Sequence, residues 1–249
     1  MGIVDSHHHL GQGCVFDGWT ATEQEITAAQ DRHDVVASVI QPWPGATPDP
    51  KKVHDAIAAF ARSRPGRIFG MANVNPHYDQ LGAAAEIRRC VKDLGFKAVK
   101  CHTIGHALNP NGKDAQVIFE TAQELGIPVM VHIATFGIPL SAPGHLIPLA
   151  KRYPQLKIIA AHMGAATLSG DVVWIAEDHP NIYLETSWAM GPDIAWAVKT
   201  LGAQRVMLGT DHPTNVAVEI TKIREMGVSQ SDVDMVLGGT AVQVFGLDI

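Results

Sequence analysis

Ile3-Val4-Asp5-Ser6-His7-His8-His9-Leu10 is the stretch on which the fold turns. It starts apolar and ends in three histidines. Read as a strand, it puts His7 and His9 on one face, because successive side chains alternate. Two imidazoles so spaced can reach a single ion, which makes half a metal site. An affinity-tag remnant is the competing reading; the shortness of the triplet and the apolar start before it speak against one. His8 points to the opposite face and is expected to be structural.

Working outward, the same strand opens a series. A Gly-rich loop, Gly11 to Gly18, carries Cys14 and Phe16 and leads to a helical stretch near Thr22 to Asp31. Val35 to Ile40 is an almost unbroken β-branched run, as expected of a strand covered by helices on its outer side. Helices are predicted at about Pro50 to Arg64, Leu81 to Leu94, Asp114 to Leu125, Gly144 to Tyr153, Val172 to Glu177 and Ile194 to Leu201. Between them fall strands at Ile68 to Val74, Ala98 to His102, Val129 to His132, Leu156 to His162, Ile182 to Ser187 and Arg205 to Asp211. Helices near Val216 to Met226 and Ser231 to Val236 end the chain. Eight alternations in 249 residues fit a single-domain (β/α)8 barrel of parallel strands. A doubly wound sheet competes, but the Gly-rich dinucleotide fingerprint is missing after the first strand.

Composition excludes several classes. No apolar run is long enough to span a bilayer, and no signal segment opens the chain, so a cytoplasmic protein is expected. The net charge of -6, without any Lys/Arg cluster, argues against a nucleic-acid or anionic-membrane surface. Three cysteines, Cys14, Cys90 and Cys101, fit neither a disulfide framework nor a cysteine zinc motif. Small-molecule partners are expected, and a homodimer is a common assembly for such a chain. The excess of histidine, 13 in all, needs a chemical explanation.

In a barrel the C-terminal strand ends converge on one mouth. There the strands end in His7 and His9, Lys100 and His102, His132, His162, and Asp211. Neutral imidazoles with one carboxylate suit a divalent ion, Zn2+ first, with Mn2+, Fe2+ or Co2+ as alternatives. His7, His9, His132 and Asp211 are assigned to the ion, with one position open for water. His162 is placed to exchange a proton, and Asp211 could take one from the water in the same step. Singly, each has a plainer reading: His132 as a hydrogen-bonded core residue, Asp211 as a cap, Lys100 as an ion-pair partner, His102 and His106 as mouth lining. Together those readings require unrelated coincidences at successive strand ends.

The set of motifs resembles the amidohydrolase superfamily, in the branch that holds metal-dependent hydrolases and the aminocarboxymuconate-semialdehyde and resorcylate decarboxylases. The resemblance is carried by Asp5 to His9, Gly95 to His102, Gly126 to His132, Ala161-His162-Met163-Gly164, Tyr183 to Ser187, Gly209-Thr210-Asp211 and the closing Val236 to Ala241. It implies a distorted (β/α)8 barrel. It also implies one metal on His7, His9, His132 and Asp211, with His162 as acid or base. In dinuclear members a carboxylated lysine bridges two ions. Lys100 is the candidate here, and Lys100 and His102 are the candidate second-metal or substrate contacts. One metal is favoured over two.

Two departures bear on function. Thr240 stands where the family's closing turn carries Asn, which bears on a local hydrogen bond only. No arginine follows a strand toward the mouth, whereas a decarboxylase needs a cation for its substrate carboxylate. Trp43, Trp188, Phe16 and Phe136 follow strand ends instead and predict a partly aromatic pocket. The leading expectation is therefore hydrolysis of an ester, lactone or amide by metal-activated water. Non-oxidative decarboxylation of an aromatic or enoic acid is the alternative, and a non-catalytic metal- or ligand-binding barrel is the reading from another class.

Overall fold

The computed structural model describes residues 2–12, 20–43, 50–134 and 139–249. Cys14, Phe16 and Phe136, with most of the Gly11–Gly18 loop and the start of the Phe136–Gly144 loop, lie outside the described residues. Among the described residues, no helix is long and apolar enough to cross a membrane.

The apolar runs become strands β1 (Ile3–Gln12), β3 (Val35–Pro42), β4 (Ile68–Asn73), β5 (Ala98–Cys101), β6 (Val129–His132), β7 (Ile158–Ala161), β8 (Ile182–Glu185) and β9 (Val206–Met207), paired in parallel in that order. A short β2 (Thr20–Ala21), absent from the sequence expectation, folds back antiparallel on the end of β1. Its two residues carry no periodic signal to read. The sheet closes on itself: the Ser6 amide donates to Leu208 O at 2.9 Å, the Asp211 amide donates to His7 O at 2.7 Å, and His8 bridges Asp211 in parallel. The expected (β/α)8 barrel is thus present.

Helices α1 (Glu23–Arg32), α2 (Pro50–Ser63), α3 (Gln80–Lys92), α4 (Gln116–Leu125), α5 (Leu146–Arg152), α6 (Ser169–Asp178), α7 (Gly191–Leu201), α8 (Val216–Arg224), α9 (Gln230–Asp234) and α10 (Thr240–Phe245) follow the strands. The bounds of α1 to α9 stay within a few residues of expectation, whereas α10 lies beyond the last helix expected, in and after the stretch read as a closing turn. The first is set by Thr22, whose hydroxyl accepts from the Glu25 amide while Glu25 reaches back to the Thr22 amide, a reciprocal cap. Thr240, where a family Asn was expected, donates to Ala203 O at 2.8 Å and keeps a local bond.

Side-chain alternation sorts the barrel wall. Ile40, Val99, Val131 and Leu184 face outward onto the helices. Val4, Val39, Met71, Ala98, Met130, Ile159 and Met207 fill the interior, plugged from below by Val244, Phe245 and Leu247. Two residues further along the same strands, the inner row turns polar: Lys100 follows Ala98, His132 follows Met130, and Glu185 follows Tyr183. β1 needs a correction to keep step. Val4 faces inward, so plain alternation would carry Ser6 and His8 to the interior. The register shift between Asp5 and His8 reverses the phase and turns His7 and His9 inward instead. Asp5 pins that shift, accepting from the amides of His7 (3.2 Å) and Thr210 (3.0 Å) and from the Thr210 hydroxyl (2.6 Å).

Outside the barrel, a buried network ties α2, α3 and β4 together. His54 Nδ1 donates to Glu86 Oε1 at 2.8 Å, Arg89 grips both oxygens of Glu86, and the Asn73 amide donates to His54 Nε2 at 3.0 Å. Burial works to raise the Glu86 pKa, but the bonds from Arg89 and His54 outweigh it and lower it to about 2. Glu86→Ala strands a buried imidazole and half a guanidinium pair, and is expected to cost about 3 kcal/mol in urea unfolding. Because the folded-state pKa lies below the unfolded value, this contribution is complete above about pH 4.5 and is lost as the pH falls toward about 2. A wild-type acid limb matching that of the variant would refute the assignment.

Candidate metal centre

The inner polar row and the strand ends meet at the barrel mouth, where His7, His9, Lys100, His102, His132, His162, Glu185 and Asp211 are all buried. His7 Nε2 and His9 Nε2 lie 3.4 and 3.2 Å from Asp211 Oδ1. The rings of His7 and His9 stand 5.2 Å apart, those of His7 and His162 5.0 Å, and those of His132 and His162 4.6 Å. Asp211, Trp188 and His162 hold positive φ angles of 66°, 64° and 66°. Three non-glycine residues in the left-handed region at one mouth mark backbone held against its preference.

Proton counting tests whether an ion fits. His9 meets two acceptors, Pro42 O at Nδ1 (3.2 Å) and Asp211 Oδ1 at Nε2. A neutral imidazole has one proton for the two, and burial lowers the His9 pKa, so one contact sets lone pair against lone pair. His7 repeats the pattern between Glu185 Oε2 at Nδ1 (2.7 Å) and Asp211 Oδ1 at Nε2. His132 Nε2 is buried with no hydrogen-bond partner. A cation between His7, His9 and Asp211, whose donor atoms lie within 4.8 Å of one another, would satisfy two imidazole nitrogens and the carboxylate. His132, assigned to the same ion from the sequence, is not among that group and is joined to it through His162. Donor atoms 3.2–3.4 Å apart match neighbouring ligands on an ion with bonds of about 2.1 Å. One group competes: Lys100 Nζ contacts His7 Nε2 at 2.9 Å and would have to swing aside on its flexible stem.

The remaining residues line this centre. Trp43 stacks on His9 with ring centroids 3.9 Å apart, and the Trp188 indole donates to Asp211 Oδ2 at 2.9 Å. His102 stacks on His132 at 4.6 Å and accepts the Gly105 amide at Nδ1. Burial pushes the His162 pKa down to about 3 and that of Lys100 down to about 8. Among the described residues no carboxylate lies within ion-pair distance of Lys100.

Glu185 was not singled out for any role from the sequence, yet it is the most connected group here. It accepts from His7, from the amides of His162 (3.0 Å) and Ser187 (2.6 Å), and from the Ser187 hydroxyl (3.0 Å). The available signal was its place two residues beyond an interior side chain on a strand, the spacing that also presents Lys100 and His132.

Residues 4–247 match the sequence model of the amidohydrolase family. The decarboxylase orsB of Emericella nidulans is 26% identical over 212 residues, covering 64% of this chain and 63% of its own. The 2-amino-3-carboxymuconate-6-semialdehyde decarboxylase of Dictyostelium discoideum is 22% identical over 239 residues, covering 79% and 66%. The chain therefore spans about two thirds of the length of these relatives. A dihydroxybenzoic acid decarboxylase of Polaromonas sp. JS666, solved with manganese and 2-nitroresorcinol, superposes with a TM-score of 0.79 at 20% identity, covering 99% of this chain and 97% of that one. At that identity the likeness speaks for the fold. The expectation of ester, lactone or amide hydrolysis is corrected by these relatives, which are decarboxylases. Its weak step was the search for a cation among arginines only, because Lys100 puts a buried ammonium at the mouth.

Proposed function

From the amidohydrolase family, to which this chain belongs, we propose that it is a metal-dependent non-oxidative decarboxylase of a small, partly aromatic carboxylic acid. The observation that carries this reading is Lys100, a buried amine beside the imidazole–carboxylate cluster with no carboxylate of its own among the described residues. An acid substrate supplies that partner. His7, His9, His132 and Asp211 would hold one divalent ion, Zn2+ or Mn2+ by the donor set, which would supply charge to bind and polarise the substrate's oxygens.

The chain's own residues account for the rest. Lys100, displaced from His7, meets the substrate carboxylate. Trp43 and Trp188 flank the opening and suit a planar ring. His162 carries the proton: Ser187 accepts at Nδ1 (2.8 Å) with Glu185 behind the hydroxyl, and a proton gained at Nε2 replaces the contact that His132 Nδ1 makes there at 3.1 Å. That proton passes to the carbon bearing the carboxyl group. The carbon–carbon bond to the carboxyl then breaks, its electron pair stays with the substrate, and carbon dioxide leaves. One proton is consumed per turnover, and no oxidant is required.

The test is a panel of hydroxybenzoates and enoic acids read by carbon dioxide release, run beside esters and lactones read by acid release. Carbon dioxide from at least one acid is expected. Removing the ion with a chelator is expected to cut that rate at least about a hundredfold, with recovery on adding Mn2+ or Zn2+. Acid release from esters or lactones with no carbon dioxide from any acid would overturn the proposal.

A further inference from the structure

We propose that Glu185 is a positioning residue that sets the tautomers of three histidines at once: His7 directly, His162 through Ser187, and His132 through His162. Every contact Glu185 makes is with a donor group, so its oxygens act as acceptors throughout. His7 must then carry its proton on Nδ1, leaving the Nε2 lone pair on the side of His9 and Asp211, where Lys100 Nζ donates to it at 2.9 Å. The Ser187 hydroxyl spends its hydrogen on Glu185 Oε2, so its oxygen accepts from His162 Nδ1 at 2.8 Å. That leaves His162 Nε2 as a lone pair, and His132 Nδ1, 3.1 Å away, has to be the donor to it. The last link leaves His132 Nε2 without a proton, which is the buried nitrogen that lacks any partner. One carboxylate thus fixes which nitrogen is unprotonated on two rings assigned to the ion and on the ring assigned to the proton.

The chain gives this carboxylate its place deliberately. A Cβ on Gly209 would land on Glu185 Oε1, so only glycine at that position leaves room. Partners of this kind raise ligand basicity and hold ring orientation, and their loss typically weakens metal binding about 10–100-fold.

The proposal uses the metal-centre reading of the same rings, but its test does not depend on it. Nitrogen-15 NMR of histidine-labelled, metal-free protein reports which ring nitrogen bears each proton. In the wild type, protons are expected on Nδ1 of His7, His132 and His162. In Ser187→Ala, His162 loses its acceptor, so its proton moves to Nε2, His132 reverses, and His132 Nε2 becomes protonated while His7 stays as it was. Ser187→Thr restores the wild-type pattern. In Glu185→Ala the His7 Nδ1 proton loses its acceptor while Lys100 and Asp211 compete at Nε2, so the single Nδ1–H form gives way to a mixture of the two tautomers. Zn2+ affinity by chelator competition is expected to fall about 10–100-fold in both alanine variants and to recover in Ser187→Thr. A wild-type His132 protonated on Nε2, or unchanged tautomers in Ser187→Ala, overturns the proposal even if Glu185→Ala fails to fold. The expected tautomers in a wild type that binds no metal would overturn the metal-centre reading and leave the role of Glu185 standing.

Discussion

Asp211→Asn is expected to abolish metal-dependent carbon dioxide release while leaving the barrel intact. Asn tolerates the left-handed backbone at residue 211, where φ is 66°, as well as Asp does, and keeps one acceptor oxygen. That one oxygen can receive the Trp188 indole, which donates to Oδ2 at 2.9 Å, or face His7 and His9, but not both. What it loses is charge. In the group His7, His9 and Asp211 the carboxylate is the one anionic donor, set against two neutral imidazoles. Removing that charge from a buried site is expected to cost on the order of 4 kcal/mol in ion binding, about a thousandfold. Chelator competition measures the affinity, and carbon dioxide release at saturating metal measures the remainder. Wild-type affinity and rate in Asp211→Asn, with an unchanged circular dichroism spectrum, would remove Asp211 from the site and the proposed chemistry with it.

Much of this arrangement could be read before any coordinates, for reasons particular elements make plain. Runs such as Val35 to Ile40 and Val129 to His132 are strands covered on both sides, and their regular alternation with amphipathic helices leaves few topologies other than a barrel. Once the barrel is accepted, the strand-end position of His132 and Asp211 implies nearness to His7 and His9, although more than 120 residues separate them in sequence. Phase was not legible. Alternation was applied to β1 as if it ran without interruption, whereas the side chains at the mouth owe their direction to the register shift after Asp5. That shift depends on bonds from Thr210 at the far end of the chain.

Hydrogen-bond partners were equally hidden. Glu185 lies in a stretch, Tyr183 to Ser187, that was read as a family motif without a role for the carboxylate, and nothing in its sequence neighbours reveals that four donors close on it. Substrate chemistry was misjudged for a related reason. The arginine count looked for charge that a sequence advertises, whereas Lys100 acquires its meaning from burial with no carboxylate within ion-pair distance among the described residues. Lys100 was placed at the mouth from the sequence as a candidate second-metal or substrate contact, but its burial could not be read before the sheet closed around it.

His162→Asn separates proton delivery from ion binding, and it carries the second large effect. His162 holds φ at 66°, a conformation in which most replacements would add strain and asparagine adds little, so the lost imidazole can be isolated from backbone damage. General acid catalysis at this position is expected to contribute about 10²–10⁴ in kcat, with little change in KM because substrate is held elsewhere. Ion affinity should fall less than in Asp211→Asn, since only the partner of His132 Nδ1 is disturbed. The reverse of the proton step offers a sharper reading than the rate. Product incubated with wild-type enzyme in heavy water should gain deuterium at the carbon that bore the carboxyl group, because the acid that protonates that carbon in one direction serves it in the other. His162→Asn, loaded with metal, should lose this exchange together with turnover. Exchange that persists while carbon dioxide release is lost would move the proton to another group. Loss of both with full metal content places it on His162, since the ion, the lysine and the aromatic walls are all unaltered in that variant.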